Sequence, residues 1–167
     1  MDAPMEMSLP EFLAHAIALE HEAAERYLEL ADMMESYRND EVAAAFRDMV
    51  RYSRLHHESI VARAHGLELP ALRSWQYRWR HPPEVGGEEA FDPALSTYEA
   101  LRYARENEFR AQSFYAQAAQ AAGDAEVRRL ATEFAAEEAE HVQALDDWLA
   151  RTPRPSVPWR TDPQHDA

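Results

Sequence analysis

Apolar residues recur along this chain at helical spacing in four long stretches, each bounded by a recognisable start or stop signal. In the first stretch Phe12, Ala16, Ala23, Tyr27 and Leu30 repeat with the helical period. This predicts a helix from about Leu9 to Glu35, opened by a Ser8–Glu11 capping box, with Pro10 tolerated in its first turn. A second helix is expected from about Asp40 to His65, stopping at Gly66. A third starts near Ser96, where Glu99 completes another capping box, and ends before Gly123. The fourth runs from about Asp124 to Arg151, beyond which Pro153 and Pro155 block continuation.

The connections set the topology. They are short between the first and second helices and between the third and fourth, which makes each pair an antiparallel hairpin. The segment from about 67 to 95 is long enough to cross the length of a bundle. The expected fold is all-α: a four-helix bundle of two hairpins joined by a long crossover. Residues 1–151 form the bundle domain, and 152–167 form an extended, Pro-rich tail.

Polar residues interrupt the apolar stripes at matching places. Glu20 sits among Leu13, Ala16, Ile17, Ala23, Ala24 and Tyr27, and Glu108 among Leu101, Ala104, Ala111 and Tyr115. Glu20 and Tyr27 recur 88 residues later as Glu108 and Tyr115, while Val42 and His56 recur 85 residues later as Val127 and His141. A constant offset within each helix is what a duplicated hairpin gives. Glu138 and His141, three apart, share a helix face. The repeat calls for a glutamate three residues before His56, and Ser53 stands there.

A carboxylate inside an apolar stripe is costly unless it is paired or bound to a cation. Alone, Glu20 or Glu108 reads as a boundary residue paired with Arg26 or Arg105. His56 and His141 alone read as core histidines bonded to a carboxylate, and one Glu-x-x-His is weak. The conjunction favours metal binding, with Glu20, His56, Glu108, Glu138 and His141 as candidate ligands. Tyr27 and Tyr115 are placed for their hydroxyls to hold ligating carboxylates in orientation, against the plainer reading of core aromatics. Around His56 the neighbours at helical spacing are Met49, Tyr52 and Ile60, so its own helix offers no replacement carboxylate, and Glu58 points away. His57 is expected to be exposed, and His15, His21, His65, His81 and His165 to be surface residues.

Composition narrows the classes. The chain has 167 residues, enough for one domain with a sizeable core, and a net charge of −14. That charge argues against nucleic acid and anionic membrane surfaces as partners. The basic residues are all arginine. With no cysteine, disulfides, thiolate zinc sites, iron–sulfur clusters and a rubredoxin-type iron centre are excluded. No basic-then-apolar leader opens the chain and no stretch has the roughly 18 apolar residues of a membrane span, so the expected location is cytoplasmic. Trp75, Tyr77 and Trp79 alternate with Gln76, Arg78 and Arg80; at this net charge the run reads as an arm over the bundle or a second subunit, with Trp159 in a similar role. No phosphate-binding glycine loop or Ser–His–Asp pattern is present.

At these residues the chain resembles the rubrerythrin family of the ferritin-like superfamily. The resemblance covers about Leu9 to Arg151 apart from the crossover. It is carried by Glu20 through Tyr27, His56, Glu108 through Tyr115, and Glu-Glu-Ala-Glu-His from Glu137 to His141. It implies a carboxylate-bridged dinuclear iron centre, an oxidoreductase acting on peroxide or oxygen in oxidative stress, and a homodimer. In the family pattern each hairpin supplies a terminal carboxylate, a bridging carboxylate and a histidine. Three departures stand out: Ser53 at a bridging position, Ala111 where the family has a further glutamate, and no rubredoxin centre, so that an external electron donor is needed. Zinc and manganese also suit these ligands. The alternative is a non-catalytic bundle with a degenerate site holding one or two zinc or iron ions.

Overall fold

The computed structural model describes residues 6–73, 76 and 95–155. Among them are four helices and no strand: α1 (Leu9–Ser36), α2 (Asp40–Arg63), α3 (Thr97–Ala121) and α4 (Ala125–Arg151). The aromatic run Trp75, Tyr77 and Trp79, residue Trp159 and the tail from 156 onward lie outside the described residues.

The starts follow local chemistry. Ser8 accepts the Glu11 amide at 3.3 Å, so one half of the expected box is present. Ser96 and Glu99 form the complete box at the start of α3. Asp124 accepts the amides of Glu126 and Val127 and opens α4. Asn39 precedes α2 without a side-chain cap; its amide instead donates to the Leu95 carbonyl at 2.8 Å. That bond ties the end of the crossover to the turn between α1 and α2. α2 ends two residues sooner than expected, at Arg63, and Gly66 with φ 81° follows in the left-handed region.

α1 packs on α2, and α3 on α4. The two hairpins are joined by cross-bundle bonds, Tyr115 to Glu20 and Tyr27 to Glu108, which run α1 and α3 antiparallel. Two apolar clusters fill the interior. One gathers Tyr27, Leu30, Met34, Phe46, Met49, Leu101 and Leu145. The other gathers Phe12, Leu13, Leu19, Ile60, Tyr115, Leu130 and Phe134. Six polar residues, His15, Glu20, Ser53, Asn107, Glu108 and Glu138, are buried along the same helices. No helix is long and apolar enough to cross a membrane among the described residues.

Candidate metal centre

One buried face of each helix turns a polar side chain inward. Glu20 comes from α1, Ser53 and His56 from α2, Glu108 from α3, and Glu138 and His141 from α4. Glu20, Glu108 and Glu138 are at most 2% exposed. The arginine pairing weighed for them does not occur. Arg105 goes to Asp146 at 2.9 Å, and Arg26 lies 3.7 Å from Glu29.

Glu138 sits in the middle. Its Oε1 lies 2.9 Å from His56 Nδ1 and its Oε2 lies 3.4 Å from His141 Nδ1. The approach is close but misaligned, so neither oxygen has a hydrogen bond of good geometry. On one side, Glu20 Oε1 is 3.3 Å from His56 Nδ1; on the other, Glu108 Oε2 is 3.4 Å from His141 Nδ1. The two imidazoles are 5.0 Å apart, centre to centre. Each half thus presents one glutamate and one histidine to a shared Glu138.

The tyrosines cross between hairpins. Tyr27 of α1 donates to Glu108 of α3 at 3.3 Å, and Tyr115 of α3 donates to Glu20 of α1 at 3.2 Å. Residues seven apart on a helix are about 10.5 Å apart along its axis, so neither hydroxyl serves the glutamate of its own helix.

Burial is the largest influence on the ionisation of all five groups. It pushes the Glu20 carboxyl above the ordinary range, with His56 opposing and the charge of Glu108 adding. It raises Glu138 to about 8, helped by the charge of Glu108 and opposed by both histidines. For Glu108 burial also acts upward, but the contacts with His141 and Glu138 and the histidine charges prevail and hold it low. Burial alone would lower both histidines; the surrounding carboxylates outweigh it and raise His56 to about 11 and His141 to about 10. Without a cation, the cluster balances its charge by retaining protons on His56, His141 and Glu138.

This donor set fits a transition-metal ion. One donor atom each from His56, Glu138 and His141 lie within 4.8 Å of one another, and donors around one ion with bonds of ~2.1 Å are separated by at most about 4.2 Å. Small side-chain movements close that gap. Glu138, buried with both oxygens unsatisfied, is the atom group a cation would satisfy.

Two readings of the periodicity are corrected. His15 is fully buried, its Nδ1 2.8 Å from the Glu11 carbonyl oxygen, because it lies between Phe12 and Leu19 on the core face. His57 is half-buried, its ring 5.9 Å from that of His21. One participant was missed. Glu137 of α4 places Oε2 2.9 Å from His56 Nε2, on the ring's outer side. The doubled Glu137-Glu138 was its only signal in the sequence.

A family model described as Rubrerythrin matches residues 11–149. A solved structure, that of an uncharacterized conserved protein from Magnetospirillum magnetotacticum MS-1, is 58% identical. It matches with a TM-score of 0.72 over 90% of this chain and 99% of its own. No curated protein matches the chain.

Proposed function

The chain belongs to the rubrerythrin family, and from that premise we propose that its bundle core holds a dinuclear metal centre, iron in its working form, acting in reduction of peroxide or oxygen. The observation that carries this reading is Glu138: fully buried, unsatisfied at both oxygens, and placed between His56 and His141. Glu20 and His56 would hold one metal, Glu108 and His141 the other, with Glu138 between them. A dinuclear iron pair supplies two electrons to a bound oxidant.

The chain's own residues supply the rest. Tyr27 and Tyr115 fix the outer glutamates from the opposite hairpin, so that ligand geometry is set by bundle assembly. The apolar clusters limit water at the site and with it the loss of reactive species. Protons held on His56, His141 and Glu138 leave when cations arrive. Reducing equivalents would reach the centre from an electron donor outside the bundle.

Ser53 supports a second reading. Three carboxylates against two divalent ions leave one positive charge, where a glutamate at position 53 would give neutrality. A site filled by one zinc or iron, with a structural role, is consistent with that deficit. An anaerobic ferrous titration followed by peroxide, read by absorbance, separates the two. Saturation at two irons per chain with rapid oxidation supports the redox centre. Saturation at one, with slow or no oxidation, assigns the structural role.

A further inference from the structure

We propose that Glu137 is a positioning residue for His56 that offsets the carboxylate missing at Ser53. The inference rests on the metal reading above.

The two nitrogens of His56 face different partners. Nδ1 looks inward, 3.3 Å from Glu20 and 2.9 Å from Glu138. Nε2 looks outward, 2.9 Å from Glu137 Oε2. An imidazole that ligates through one nitrogen carries its proton on the other, and a carboxylate accepting that proton fixes the tautomer and makes the ring a stronger ligand. The 2.9 Å approach of Nε2 to Glu137 is an ion-pair contact; a proton kept on that nitrogen leaves the Nδ1 lone pair facing the interior. Glu137 cannot itself take the ligand position of Glu138, because adjacent helical residues diverge by about 100°. Glu137 is 38% exposed and approaches from the rim while Glu138 enters the core.

The arrangement is one-sided. His141 Nδ1 faces Glu108 and Glu138, but no carboxylate pairs with its Nε2 among the described residues. Its ring instead lies 5.3 Å from Tyr52. The extra carboxylate thus serves the histidine of α2, the helix where Ser53 replaces a glutamate. Counting Glu137, four carboxylates surround the two histidines, and two divalent ions are balanced. The negative charge lost from the bridge is returned through the imidazole.

Cobalt(II) titration of the full chain, read by visible absorbance and calorimetry, tests this, with Glu137→Ala, Glu137→Gln and Glu137→Asp beside the wild type. The wild type is expected to bind two cobalt ions with unequal affinity. Glu137→Ala should weaken the weaker site about tenfold or more, shift its absorbance, and leave the tighter site and the metal-free melting temperature unchanged. Glu137→Asp should restore binding, and Glu137→Gln, which accepts the proton without charge, should fall between. On a Ser53→Glu background the loss from Glu137→Ala should shrink. Wild-type affinities retained in Glu137→Ala, or equal losses at both sites accompanied by a lower melting temperature, would overturn the proposal while leaving the metal centre standing. A wild type that binds no cobalt overturns both.

Discussion

Glu138 concentrates the argument at the scale of single residues. Replacing it with alanine removes the carboxylate placed between the two histidines, and metal binding is expected to be abolished at both positions; a variant with full occupancy by elemental analysis would sink the ligand assignment. The tyrosines give a finer test. Tyr27→Phe should loosen the metal beside Glu108, and Tyr115→Phe the metal beside Glu20, each by about tenfold. pH adds a third. In the metal-free protein His56, His141 and Glu138 hold protons up to about 11, 10 and 8. Histidine ligates when neutral and glutamate when ionised, so binding at neutral pH must expel one proton from each. Affinity should therefore climb as pH rises from 6 to 8, with proton release visible as a buffer-dependent heat in calorimetry. A flat profile would contradict the protonation pattern. The five candidate ligands were legible in the sequence because spacings of three and seven survive as helix faces and the 85-residue repeat pairs His56 with His141. Glu137 was not, since it lies off the face shared by Glu138 and His141, and its contact is with α2, which single-helix periodicity does not encode.

At the scale of elements, the helix boundaries follow caps and stops that can be read residue by residue. Ser96→Ala removes the hydroxyl that accepts the Glu99 amide, leaves the Ser96 backbone N–H bonded to the Glu99 carboxylate, and should cost about 1 kcal/mol in denaturant unfolding. Gly66→Ala should cost a similar ~1 kcal/mol, from backbone conformation alone, since a Cβ there meets nothing within 4 Å. What the sequence could not give was the tie from Asn39 to Leu95. Asparagine before a helix reads as a cap, and the competing carbonyl lies 56 residues away. The crossed tyrosines have the same origin. Position on α1 and α3 was set by the repeat, but which glutamate each hydroxyl meets depends on how the hairpins dock.

For the whole molecule, the duplication builds a bundle whose two apolar clusters are separately coherent, while the residues with buried charge fall where the hairpins exchange tyrosine bonds. A cation that binds only the folded bundle should raise its melting temperature with concentration, by mass action. The placement of that polar layer carries one more consequence. Helices ordinarily lose amide protection from their ends inward. Here three of the four helices start on a side-chain cap, apolar clusters flank the centre, and the buried carboxylates sit mid-helix. Stripped of metal, the amides around Glu20, Glu108 and Glu138 should exchange with deuterium sooner than those around Phe12, Leu30 and Phe134. The bundle would open from its waist, and filling the centre would close it.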